Sequence, residues 1–405
     1  MVTTVLPAVQ APGRLVPPFL PRPTSDATPE LAEALIDLAA IAANTRWFLD
    51  RADGAALMAV VKADGFGHGA VRVAHAVLDA GAAWLGVARL REALSLRAAG
   101  VATPVLAWLL EPACVRDAVE RRIDLAASSV ADLDRIAGSG AARRAEVQLK
   151  LDTGLHRAGA TLAEWPVVVA HAARLERRGR IHVRGIWSHL SHGDVPGDPR
   201  TALQARTLAT GIDIAHAAGL RPEVTHLANS GGVIQAGAAG CSMVRVGAGL
   251  YGIDVLPAAV ATKSALSTGD LRPAMRVVTR VVGVRSVAAG EGVGYSHATV
   301  IRRATRLALV PMGYADGLPR IAGPHARMLV GDRVARVVGR ISMDQAILDV
   351  GDRPVRIGDP VTVIGDGRDE APTVADWARW SGTIPHEILT GIGARVVRRT
   401  VGGAR

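Results

Sequence analysis

Residues 57–81 read LMAVVKADGFGHGAVRVAHAVLDAG. An apolar, β-favouring run ends on Lys62, a glycine-rich turn follows, and an amphipathic helical stretch, "HGAVRVAHAVLDAG" (68–81), comes next. That is a buried strand, a turn and an amphipathic helix, one β/α unit. The unit repeats. "AWLGVA" (83–88) precedes "RLREALSLRAAG", "PVLAW" (104–108) precedes "CVRDAVERR", and "DLAAS" (124–128) precedes "VADLDRIAG". "VQLKLD" (147–152), "VRGIWSHL" (183–190), "EVTHLA" (223–228) and "SMVRVG" (242–247) complete eight strand-like runs. Eight such units predict an α/β fold, a (β/α)8 TIM-like barrel. A doubly wound open sheet is the alternative, but no G-x-G-x-x-G turn follows the first strand.

Beyond about residue 270 the texture changes to β-rich segments such as "AMRVVTRVVGVRSV", "TRLALVPMGY" and "QAILDVG", with one short helical stretch, "VADWARWSG". These predict a separate, mostly β domain. The expected division is a flexible Pro-rich tail over 1–32, the barrel over 33–268 and a C-terminal β domain over 269–405. Residues 1–30 hold seven prolines and lack the basic start and apolar middle of a secretory signal, so a cytoplasmic location is expected.

Hydrophobic residues make up 49% of the 405, enough for a large core, so disorder as the main state is excluded. No apolar run is long enough for a membrane helix. Cys114 and Cys241 sit in no metal-ligand spacing, and no disulfide framework is possible. The net charge of +10 comes from dispersed arginines, which fits a base-composition bias better than a nucleic-acid surface. Only three lysines occur, Lys62, Lys150 and Lys263. Where arginine is so readily used, a retained lysine points to a need for a titratable primary amine.

Reactive groups of a (β/α)8 barrel gather at the carboxyl ends of its strands. Lys62 sits there. From the residues alone it reads either as a side chain snorkelling at the rim or as an amine that desolvation keeps available for a C=N bond. Lys150, Asp152, Thr153 and Arg157 in "QLKLDTGLHRAG" read as a structural ion-pair group or part of a site. His189 and His192 follow another strand, with no metal-ligand pattern around them. Ser230 in "HLANSGG", and Arg245, Gly247 and Ala248 in "VRVGAGLYG", offer hydroxyl and backbone donors suited to a phosphate.

Together "AVVKADGFGHG", "KLDTGLHRAG", "SHL", "HLANSGG", "VRVGAGLYGI", "GVGYSHATV", "PMGYADGLPR" and "GRISMDQ" keep one order along nearly the whole chain. This set resembles the alanine racemase family, enzymes of barrel-plus-β-domain type that use pyridoxal 5'-phosphate. The resemblance implies an isomerase interconverting L- and D-alanine by two bases, supplying D-alanine for peptidoglycan. Lys62 matches the lysine that bonds the cofactor and serves the D-enantiomer. Tyr295 matches the second base, serving the L-enantiomer, supplied in the family by the other subunit of a homodimer. Arg245 matches the arginine facing the pyridine nitrogen, and Arg245 with His189 the groups that help Tyr295 ionise. Ser230, Gly247, Ala248 and the hydroxyl of Tyr314 match phosphate ligands. Arg157 matches the arginine that orients the substrate carboxylate, and Lys150 a lysine often carbamylated. Met343 and Asp344 match residues closing the substrate pocket from the other subunit. No metal is implied.

Three departures from the family pattern stand out. Phe66 replaces a tyrosine that meets the phosphate, His386 replaces a common tyrosine, and residues 390–399 lack an aromatic at the pocket mouth. The last leaves open a serine or broad-specificity racemase. A non-catalytic pyridoxal-phosphate-binding protein would lack the β domain and Tyr295, and a purely structural dimer would not need both bases.

Overall fold

The computed structural model describes residues 30–256 and 271–402. Most of the expected tail, the expected boundary at 268 and Lys263 lie outside the described residues.

The eight strand-like runs form a closed parallel barrel. Its strands are β2 (Ala56–Val60), β3 (Trp84–Arg89), β4 (Val105–Leu109), β5 (Asp124–Ala127), β6 (Ala145–Lys150), β7 (Ile181–Trp187), β8 (Val224–His226) and β9 (Met243–Val246). β9 closes the ring on β2, with Ala56 opposite Met243 and Met58 opposite Arg245. Met58, Trp84, Leu106, Ala126, Trp187 and Met243 pack together as a cluster contributed by six of the eight strands, which makes the interior a packed core. Helices cover the outside with one apolar face each. In the helix Val130–Ala137, Ser129 caps the Asp132 N–H, and Leu133 and Ile136 are buried.

One boundary differs from expectation. β1 (Ala32–Asp37), counted with the barrel from residue 33, instead belongs to the C-terminal sheet, where it pairs antiparallel with β10 (Met275–Arg280) and parallel with β19 (Val397–Val401). The eight later strands already close the ring, so no open barrel edge is left for it. The remaining strands are β11 (Gly283–Val287), β12 (Gly292–Val293), β13 (Thr299–Val300), β14 (Thr305–Val310), β15 (Arg327–Val330), β16 (Arg333–Val337), β17 (Ala346–Gly351) and β18 (Pro360–Ile364). The nine-stranded sheet runs β11-β14-β17-β16-β15-β18-β10-β1-β19, and β12 and β13 form a small ribbon. Among the described residues no helix is long and apolar enough to cross a membrane.

Candidate active site

A cavity of about 740 Å³ opens at the carboxyl ends of the barrel strands, a size suited to a small molecule. Lys62, Lys150, Arg157, His189, Ser230, Arg245, Gly247 and Ala248 all line it. Eight of the expected site positions thus converge from different strand ends.

Lys62 is followed by an unusual backbone. Ala63, Asp64, Gly65 and Phe66 all have φ between 52° and 61°, a full left-handed turn. Such a turn costs about 1–2 kcal/mol for each non-glycine residue, so it persists only where its surroundings hold it. Here they do. Glu92 Oε1 accepts the Ala63 N–H at 2.7 Å, and Asp64 Oδ1 accepts the Ala70 N–H at 2.7 Å. His68 is fully buried, and its Nδ1 lies 3.0 and 2.9 Å from the carbonyls of Gly65 and Phe66, so Nδ1 carries the hydrogen. Burial pushes the His68 pKa down to about 4, leaving the ring neutral. The turn also touches the second domain. A Cβ on Gly67 would stand 2.7 Å from the Leu389 carbonyl, and Arg398 Nε donates to the Gly67 carbonyl at 3.2 Å. Burial, then the nearby Arg157 guanidinium, lower the Lys62 pKa, while Glu92 opposes them.

Arg245 is buried in the cavity wall and anchored through both terminal nitrogens. Nη1 donates to His226 Nδ1 at 2.8 Å; Nη2 donates to the Ser188 and Leu227 carbonyls at 2.7 and 3.1 Å and to His189 Nδ1 at 3.1 Å. Because guanidinium only donates, His226 accepts at Nδ1 and carries its proton on Nε2, which meets Gln148 Oε1 at 2.7 Å. Gln148 Nε2 donates to Asp124 Oδ2 at 2.8 Å, and Asp124 Oδ1 accepts from Arg184 at 3.2 Å. This relay links β5, β6, β7, β8 and β9 with every donor direction fixed. Burial lowers Arg245 to about 9, so it stays protonated at neutral pH. Burial first, then Arg245, Arg157, Lys150 and Lys62, hold His189 neutral.

Lys150 is buried with its Nζ 4.5 Å from the Trp187 ring centre. Burial, Arg157 and Arg245 push it down to about 8 against the pull of Asp152. Arg157 has no hydrogen-bond or carboxylate partner among the described residues. Ser230 Oγ accepts the N–H groups of Gly247 (3.1 Å) and Gly249 (3.4 Å). A Cβ on Gly247 would meet Phe66 Cζ at 3.4 Å, so these amides and the Phe66 ring edge bound one small, donor-rich corner. Phe66 stacks on Tyr251, centres 4.6 Å apart.

The other expected positions lie elsewhere. Tyr295 (64% exposed), Met343 (53%) and Asp344 are on the surface of the C-terminal domain and do not line the cavity. Tyr314, expected beside Ser230, is also outside it: its backbone N–H donates to the Ser342 carbonyl, which seats it next to Met343. The position on this side of the cavity is held by His386, on the helix Pro385–Gly391. Sequence reasoning gave no role to Glu92, His226, Gln148 or Asp124. Their only signal was a polar side chain at an inward position of an otherwise apolar strand, or at the third position of a helix.

Fold and site define a (β/α)8-barrel protein whose cavity brings a lysine of lowered pKa together with a corner of hydroxyl and backbone N–H groups. Comparison with known proteins is specific. The profile described as "Alanine racemase, N-terminal domain" matches residues 36–255, and "Alanine racemase, C-terminal domain" matches 274–400. The alanine racemase of Salinispora tropica is 45% identical over 377 residues, 92% of this chain and 99% of that one. The crystal structure of alanine racemase from D-cycloserine-producing Streptomyces lavendulae has a TM-score of 0.89 at 41% identity, covering 93% of this chain and 99% of that one. The alanine racemase of Bacillus anthracis with bound L-Ala-P has a TM-score of 0.85 at 28% identity, covering 93% and 97%. The chain belongs to the alanine racemase family.

Proposed function

We propose that this protein is a pyridoxal 5'-phosphate-dependent racemase that interconverts L-alanine and D-alanine. The observation that carries the reading is a primary amine, Lys62, held at the start of a strained turn in a cavity that is also lined by the Ser230 hydroxyl and the backbone of Gly247 and Ala248. That donor set fits a phosphate, and Arg245 fits a ring nitrogen that keeps its lone pair, since it offers only donors.

When bound, pyridoxal phosphate supplies electron withdrawal from the substrate α-carbon. The remaining work falls to the chain. Arg157, unpaired at the cavity wall, binds and orients the substrate carboxylate. Lys62 Nζ removes or returns the α-proton on one face, its lowered pKa keeping a fraction of the amine neutral. Lys150, flanked by Arg157 and Arg245 with its amine partly neutral near pH 8, is suited to add carbon dioxide, losing a proton to become a carbamate anion that holds Arg157.

The opposite face needs a second base, and Tyr295 of a second copy would supply it. Gly294 packs against Gly339 and Arg340, and Tyr314 and Ala315 bond the backbone of Ser342 and Met343, so Tyr295, Tyr314 and Met343 share one region of the C-terminal domain. All three side chains are exposed in a single chain. A homodimer in which this region covers the partner cavity would bury them and complete both sites. His189, neutral and polarised by Arg245, would offer its remaining N–H toward such a tyrosine. The biological role is supply of D-alanine for peptidoglycan from the cytoplasm.

The test compares deuterium uptake into D-alanine with appearance of L-alanine. Lys62→Ala should abolish both, and Lys62→Arg should fail equally. Tyr295→Phe should lower net racemisation ~10²–10⁴-fold while exchange into D-alanine survives. Near-normal turnover by Lys62→Ala would sink the reading.

A further inference from the structure

Glu92 is the third residue of the helix Leu90–Ala98, and its Oε2 accepts the N–H groups of Ala88 (2.9 Å) and Arg89 (3.0 Å). That is an ordinary capping arrangement. Its other oxygen does something capping does not require. Oε1 reaches across to the neighbouring strand end and accepts the N–H of Ala63, the residue after Lys62 and the first of the left-handed turn. One carboxylate therefore ties the end of β2 to the end of β3. The Ala63 amide would otherwise begin a strained turn without a partner, at the point where Lys62 must be fixed. Asp194 and Asp254 also line the cavity, and Asp64 stands two residues on with its Oδ1 taken by the Ala70 N–H, but the charges that act on Lys62 are those of Arg157 and Glu92. Arg157 bears on it directly, His189 and His386 feel its charge, and Glu92 is the negative group acting on it.

We infer that Glu92 is a positioning residue for Lys62: it fixes the turn that aims the amine and supplies the negative charge beside it. This rests on the reading of Lys62 as the cofactor-bonding base. The N3 carboxylate explains the helix; the link to Ala63 and the charge beside Lys62 explain why that carboxylate should matter to the reaction.

The experiment compares the parent holoenzyme, Glu92→Ala, Glu92→Gln and Asp376→Ala. Asp376 is the equivalent third-position carboxylate of the helix Val374–Ser381, in the other domain. Three quantities are read: thermal midpoint, the dissociation constant for pyridoxal phosphate with the fraction fixed at Lys62 by borohydride, and the pH dependence of kcat for D-alanine. Glu92→Ala should weaken cofactor binding at least several-fold and lower kcat by roughly 10²-fold, the scale of a misplaced reacting group. Glu92→Gln keeps an acceptor for Ala63 and loses the charge, so the acid limb of its kcat profile should move to lower pH. Asp376→Ala should lose stability alone. The inference is overturned if Glu92→Ala behaves like Asp376→Ala, or, should Glu92→Ala not fold, if Glu92→Gln keeps the parent pH limb. A parent that fixes no cofactor at Lys62 would instead remove the reading beneath it.

Discussion

Arg245 Nη2 lies 3.1 Å from Nδ1 of His189, and a ring nitrogen that accepts from guanidinium has no lone pair left for a proton. His189 is thus held neutral by geometry as well as by burial. His226 is in the same position on Nη1 of the same arginine.

Stability should therefore fall on acidification below neutrality. The pKa values of His68, His189 and His226 are depressed in the folded chain, so each contributes stability that is complete above the unfolded value near 6.5 and is lost as pH falls. Asp124 acts oppositely: burial raises it to about 6, so its destabilising share is relieved between about 6 and 4. His68 and Asp124, each of order 3 kcal/mol, nearly offset, and the other two histidines tip the balance. The denaturant midpoint should be lower at pH 5 than at pH 7.5. A midpoint that rises on acidification would mean that Asp124 dominates.

Mixing two inactive variants should restore activity. If Tyr295 serves the cavity of a second copy, a dimer of one Lys62→Ala chain and one Tyr295→Phe chain holds one site with both bases and one with neither. Some activity should return after subunit exchange. No recovery, with exchange confirmed by mass, would place both bases within one chain.

Phe66→Tyr should tighten pyridoxal phosphate binding. Phe66 Cζ, where the hydroxyl would be added, borders Gly247 at the donor-rich corner. One hydrogen bond to a charged group is worth ~1.5–3 kcal/mol, less where water already fills the place. The dissociation constant after dialysis decides it; unchanged or weaker binding would show that the Phe66–Tyr251 stack suits the cofactor as it is.

Which parts of the molecule were legible in sequence follows from the range of the forces involved. β2 and β4 are continuous apolar runs because both their faces are covered, and the other barrel strands are mostly apolar; that pattern is local. Lys62, Lys150 and Arg245 stood out as charges at the ends of such runs. β1 did not declare its partner, because Ala34 pairs with Val277 and Arg398, both far along the chain. Asp124, Gln148 and His226 each look like an isolated polar residue until barrel closure brings their strands together. Tyr314 shows the converse limit: a motif kept in order does not say on which side of the cavity its side chain stands.

The membership of β1 in the C-terminal sheet also bears on how the chain is made. β1 leaves the ribosome before any barrel strand, yet its neighbours β10 and β19 are synthesised after the barrel is complete. In sequence the barrel is inserted between β1 and β10, two adjacent strands of another sheet. Synthesis can deliver a closed barrel early, but β1 must wait unpaired until β10 follows the barrel, and keeps one open edge until β19 is made. Release of a chain short of Val397 would leave β1 with one open side, and with it Arg398, which holds the turn behind Lys62, would be missing.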